Sequence, residues 1–339
     1  MAKILILRLT SLGDVIFTLP LVNVLKDNGH EIDYLVSEKG YDVVKNHPSI
    51  SNVHLFPLKE YRKSNIFRKL AILKNTINNI RKEKYDIALD CQQMFKSLIL
   101  FAFSGAKRRI TFRDARELSI LGGNEFIKPK TNFRDFNYHI VERNLDFARY
   151  LNIEPKEIKF NIAEQSIEVK KSVDILLKNI DTNKKTIVIA PETTWKNKHW
   201  NISNWKKLVK LLNGKYNLVF TGLGKFPEIC DNVDGINLFG KTNLNELTEV
   251  FNRADLVISP DSGSSNSAWS CGHPAVISIF TCTPSKRFGP YGNDKKYFSV
   301  QGQLPCQPCF KKKCRLKKLN CTFEPPVEEI IKIVNSVLS

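Results

Sequence analysis

Long apolar runs are what this 339-residue sequence lacks. The longest uncharged one near its middle, SLILFAFSGA at residues 97–106, is too short to span a bilayer. Residues 4–20 are apolar enough for a leader, but Arg8, Gly13 and Asp14 interrupt them and no small-residue cleavage site follows. The expectation is a cytoplasmic protein that at most touches a membrane peripherally, from its inner face. That placement argues against disulfides for the eight cysteines. Acids are also scarce: 34 Asp and Glu stand against 52 Lys and Arg, a formal net charge of +18. Such an excess suits anionic partners, whether nucleotides, nucleic acid or an acidic lipid surface. Absent too is any aromatic motif for reading RNA.

What is present is strand and helix in alternation. KILILRL, EIDYLVS, ISNVHLFP and YDIALDC read as strands in the first half, and KTIVIAPE, YNLVFTG, GINLFG, DLVISPD and PAVISIF in the second. ISNWKKLVKLLNG and NLNELTEVFNRA read as helices. Between the third and fourth strands, Ile66, Leu70, Leu73, Ile77 and Ile80 share one helical face behind a Ser64 cap. Arg68, Lys69, Lys74, Arg81 and Lys82 lie opposite, on a face that either meets solvent or rests on anionic headgroups. Alternation of this kind predicts parallel sheets covered on both sides. The polar stretch around residues 161–184 separates two such series, so the chain reads as α/β, with two Rossmann-like domains at 1–164 and 165–339 facing across a cleft.

Four stretches carry chemistry. In LTSLGDVIFTLP, Asp14 stands near the end of the first strand, at the start of a helix expected over 14–26. It is either an N-cap or a reactive carboxylate, because ligands in such folds bind beyond the carboxyl ends of strands. APETTWKNKHW offers the hydroxyls of Thr193 and Thr194 and the charges of Lys196, Lys198 and His199, which suits an oxyanion such as pyrophosphate; a polar surface loop is the plainer reading. In SPDSGSSNSAWSCG a small-residue turn feeds a helix start near Ser264. Gly263 permits close backbone approach, and Asp261 suits sugar hydroxyls rather than phosphate. TGLGKFPE has two glycines of a dinucleotide fingerprint, but Pro227 replaces the third; a nicotinamide site is excluded, and Glu228 remains for a ribose diol.

Together SLGDVIFTLP, HIVERNLDFARYL, APETTWKNKHW and DSGSSNSAWSCGHPAVISIFTCTPSKRFGPYG resemble, in order and spacing over essentially the whole chain, the ADP-heptose:lipopolysaccharide heptosyltransferases of glycosyltransferase family nine. The resemblance implies a GT-B fold with an acceptor-binding first domain and an ADP-sugar-binding second. It implies Asp14 as catalytic base, Thr193, Thr194 and Lys198 on the diphosphate, and Glu228 on ribose. Asp261, with the backbone of Ser262, Gly263 and Ser264, would hold heptose and phosphates. Two departures stand out: Asn266 replaces a usual His, and PET replaces a His or Gly before the Thr pair.

CQPCFKKKCRLKKLNC gathers Cys306, Cys309, Cys314 and Cys321 in a basic loop at 306–321. The spacing is compatible with a structural zinc or iron site and with plain reduced thiols. The leading expectation is an inverting, metal-independent transfer of L-glycero-D-manno-heptose from ADP-heptose to a phosphorylated lipopolysaccharide inner-core precursor, either Kdo-lipid A or a first heptose. A protein hydroxyl is the alternative acceptor. A nucleic-acid-binding protein would explain the charge but leave the Thr-Thr and Asp-Ser-Gly loops without purpose, so no nucleic-acid partner is expected.

Overall fold

The structure, a computed structural model, describes residues 1–132, 135–292 and 294–339. The chain divides into two compact units, Met1–Ala163 and Glu164–Ser339. The first runs β1 (Lys3–Leu7), α1 (Leu12–Ile16), α2 (Leu19–Asp27), β2 (Glu31–Ser37), α3 (Tyr41–Val44), β3 (Asn52–Phe56), α4 (Leu58–Lys63), α5 (Ile66–Lys82), β4 (Ile87–Asp90), α6 (Phe95–Ala102), β5 (Arg108–Phe112), β6 (Glu125–Ile127) and α7 (Ile140–Tyr150). Its sheet is parallel throughout, in the order β3-β2-β1-β4-β5-β6. Strands such as β1 and β4 are apolar on both faces, and burying both requires helices above and below.

The second unit runs α8 (Ile167–Leu176), β7 (Thr186–Ile189), α9 (Ile202–Leu212), β8 (Asn217–Phe220), β9 (Ile236–Asn237), α10 (Leu244–Asn252), β10 (Leu256–Pro260), α11 (Gly263–Ser270), β11 (Ala275–Phe280), α12 (Ser285–Phe288), β12 (Tyr297–Gln301) and α13 (Val327–Leu338). Its parallel order is β12-β11-β10-β7-β8-β9. Counted from each unit's first strand, both sheets have the Rossmann order 3-2-1-4-5-6, which reverses direction between the first and fourth strands. That reversal opens a crevice beyond the carboxyl ends of β1 and β4 in one unit, and of β7 and β10 in the other.

Three expectations need correction. The helix expected over 14–26 is two helices, because Pro20 in the first turn of α2 has no N–H to continue the ladder from α1. At the break, the carbonyl of Phe17, the residue that closes α1, accepts from Asn144 Nδ2 of α7 at 2.8 Å, and Thr18 Oγ1 donates to Val15 O at 2.7 Å. Asn65, not Ser64, caps α5, its side chain accepting from Arg68 N. The buried stripe of that helix is Ile72, Thr76 and Ile80; Leu73 and Ile77 pack at its margin, while Ile66 and Leu70 are exposed. Strands β5, β6 and β12 escaped the sequence reading, being short or opened by charged or aromatic residues rather than by an apolar run.

Candidate active site

In the first unit, Asp14 sits in the third position of α1, and Ser11 is the cap. The carboxylate reaches back: its Oδ2 accepts from both the backbone N–H and the hydroxyl of Ser11, each at 2.9 Å. Arg8, at the end of β1, places Nη2 2.7 Å from Asp14 Oδ1, and its Nη1 donates to Cys91 O. Burial pushes the Asp14 carboxyl up, but the Arg8 charge and the Ser11 donors outweigh it and hold the group below the ordinary carboxylate range. The side chain keeps 30% of its surface exposed, so an ionised oxygen can still meet a ligand.

The loop after β4 completes this crevice. Asp90 is buried at the strand end and accepts from Gln92 N at 3.1 Å, Gln93 N at 3.0 Å and Ser97 Oγ at 3.0 Å. Thus fixed, Gln92 turns its Oε1 onto the backbone N–H groups of Leu9 and Thr10, both at 3.0 Å, and pins the loop that carries Asp14. Lys96, half-buried at the start of α6, donates to Thr10 Oγ1. Burial, then the charge of Arg8, pulls its ammonium down to about 8. Arg62 stands within electrostatic reach of Lys96, and Arg116 within reach of Asp14. A carboxylate ringed by cations suits a substrate that is itself anionic and must give up a proton.

In the second unit, the loop after β7 carries the Thr pair, and Asp261 directly follows β10. Lys198 lies on a short 3-10 turn, Lys196–Lys198, and its Nζ meets Asp261 Oδ2 at 2.7 Å; the two side chains are 16% and 7% exposed. Thr193 is buried and donates to Asp261 O at 3.0 Å, whereas Thr194 is exposed. Ser262 caps α11, accepting from Ser265 N at 3.2 Å, so the amides of Gly263 and Ser264 begin the helix where no preceding carbonyl serves them. Asn266, one turn further, accepts from Trp269 Nε1 at 3.1 Å. The structure therefore gathers Thr193, Lys198, Asp261, Ser262, Gly263 and Ser264 at one switch point. Glu228 lies apart from them, half-buried on the 3-10 turn Pro227–Ile229 that follows β8. Gly222 has φ +144°, a backbone conformation that side chains rarely adopt, and Glu192 Oε1 beside it accepts from Lys225 N at 2.8 Å.

A family model described as glycosyltransferase family 9 (heptosyltransferase) matches residues 74–320. The chain belongs to glycosyltransferase family 9. It is a glycosyltransferase of the GT-B fold. Among its curated family relatives, the lipopolysaccharide core heptosyltransferase OpsX of Haemophilus influenzae is 26% identical over 307 residues, covering 87% of this chain and 83% of that protein. Lipopolysaccharide heptosyltransferase 1 of Campylobacter coli is 28% identical over 305 residues, covering 84% and 85%. Of solved structures, E. coli heptosyltransferase WaaC with ADP superposes with a TM-score of 0.77 at 20% identity, covering 99% of each chain.

In this family 9 chain the cysteine loop packs against the turn that carries Lys198: Asn197 Nδ2 donates to Lys311 O, and the Trp195 and Phe310 rings lie 6.0 Å apart. Cys321 is buried, Cys309 and Cys314 are half-buried and Cys306 is exposed. The other three lie within electrostatic reach of Cys321, whose thiol burial pushes up to about 11. Among the described residues, no three His, Cys, Asp or Glu side chains converge closely enough to hold a metal ion. A zinc or iron site at these cysteines is thus not formed by the side chains as they stand.

Proposed function

We propose that this chain transfers L-glycero-D-manno-heptose, with inversion, from ADP-heptose to the phosphorylated inner core of lipopolysaccharide. The observation that carries the reading is Asp14: an ionised, partly exposed carboxylate at the switch point of the first sheet, ringed by Arg8, Lys96 and Arg116. The first unit then binds the acceptor and the second the donor. An acceptor hydroxyl gives its proton to Asp14 as its oxygen attacks the anomeric carbon from the face opposite the leaving ADP. Lys198, Thr193, Thr194 and the first amides of α11 take up the charge that develops on the departing diphosphate. Asp261 holds heptose hydroxyls when Lys198 turns to phosphate, and Glu228 takes the ribose diol. That a structurally similar heptosyltransferase binds ADP supports the nucleotide half of the reading.

Charge stabilisation by these groups makes the transfer independent of a metal. A structural zinc or iron at Cys306, Cys309, Cys314 and Cys321 would need the loop to draw four thiols together from where they stand. The acceptor is anchored in the inner face of the cytoplasmic membrane, where a peripheral enzyme meets it. Incubating the purified protein with ADP-heptose and Kdo-lipid A tests the reading by mass. Gain of one heptose supports it; no gain on Kdo-lipid A or on its once-heptosylated form, with transfer to a protein substrate instead, refutes the acceptor.

A further inference from the structure

The exposed start of α5 has no role in either crevice. Ile66, Phe67 and Leu70 are 62%, 81% and 56% exposed, although the same helix buries Ile72 and Ile80 further along. An apolar cluster in water costs free energy unless something covers it. Around it the chain is strongly basic: residues 58–82 hold eight Lys and Arg against a single acid, Glu60, which is paired with Arg68. On neighbouring elements, Phe95 at the start of α6 and Leu118 before the 3-10 turn Ser119–Gly122 are also exposed. α5 packs on α6, and α6 on that turn.

We propose that the α4–α5 corner is the membrane-docking surface of the protein, with Ile66, Phe67 and Leu70 entering the interface of a bilayer and the surrounding Lys and Arg resting on anionic headgroups. Apolar tips set in a basic rim are the chemistry of an interfacial helix. No described helix is long and apolar enough to cross a membrane, so the contact is on the surface. A second copy of the chain fits this surface poorly, since a symmetric contact would press two strongly basic corners together. The corner also adjoins the first crevice: Arg62 of α4 lies within electrostatic reach of Lys96. The inference deepens the proposed acceptor, because a lipid-anchored acceptor would meet Asp14 beside the lipid surface. It does not need that reading for its test.

The test is flotation of the purified full chain with vesicles of phosphatidylglycerol and phosphatidylethanolamine, with pure phosphatidylcholine as the neutral control. Wild-type protein should float with the anionic vesicles, and high salt should release it. Phe67→Ser should lower partitioning about tenfold. Lys63→Gln and Lys69→Gln should each lower it about fivefold. Because these side chains are outside the crevices, Phe67→Ser should keep wild-type turnover on a soluble, delipidated acceptor. No flotation of wild type, equal flotation of Phe67→Ser, or a self-association that Phe67→Ser abolishes would each overturn the docking surface. Flotation without turnover on any acceptor would overturn heptosyl transfer and leave the surface standing.

Discussion

Asp14 illustrates how far a single residue could be read. Its place beyond the first strand made it a cap or a base, and the structure makes Ser11 the cap while Asp14 returns its hydrogen bonds. Gln92 and Lys96 were not legible as partners, because the β1–β4 pairing that brings them to the Asp14 loop is distant in sequence. Arg8 lies on the same β1–α1 connection as Asp14, and only the turn between them shows that the two side chains meet. The only signal was Asp90, a polar residue closing an apolar strand. Their charges have consequences for pH. Arg8 is what offsets burial at Asp14, so Arg8→Gln should leave burial dominant and raise that carboxyl. The acid limb of kcat/KM should then move to higher pH, as read from a rate profile. Lys96 works in the other direction. Its ammonium is present below about 8 and is lost as pH rises through that value, so affinity for an anionic acceptor should fall above it. Lys96→Gln should bind the acceptor weakly and without that dependence.

Among the elements, legibility followed the strength of the periodic signal. The strands at the centre of each sheet and the helices α9 and α10 stood out as apolar runs or amphipathic repeats. α5 was misread by its register: its apolar residues occupy two faces, and only tertiary packing chooses which one the core takes. The loop at 306–321 has no periodicity, and its cysteine spacing left a metal site and plain reduced thiols both open; among the described residues no metal-holding group is formed. Its local backbone matters instead. The N–H groups of Leu319, Leu316, Lys318 and Lys317 surround Cys314 and lower its thiol, while burial raises Cys271 and Cys282 to about 12. At neutral pH Cys314 should therefore alkylate well before those two, as followed by peptide mass after brief iodoacetamide exposure. Slow labelling that a chelator accelerates would instead mean that a metal holds the thiolates.

Over the whole molecule, two sheets of the same strand order place polar loops at matching positions, after the first and fourth strands of each. That repetition was legible as two series of alternating strands and helices. The loops that follow β7 and β10 carry the Thr pair and Asp261, which are distant in sequence and meet at the switch point. The ion pair of Lys198 with Asp261 follows from the same closure and was not expected, since each residue had been matched to a ligand separately. The central claim is that Asp14 removes the acceptor's proton, and the measurement closest to it is the transfer rate of Asp14→Asn at saturating ADP-heptose, taken beside ADP affinity and the melting temperature. Asparagine keeps the size and the backbone contact but cannot take the proton. The rate should fall roughly 10²–10⁴-fold, with ADP affinity and melting temperature close to wild type. A variant that keeps its rate and melts at lower temperature would reduce Asp14 to a structural partner of Ser11 and contradict the account.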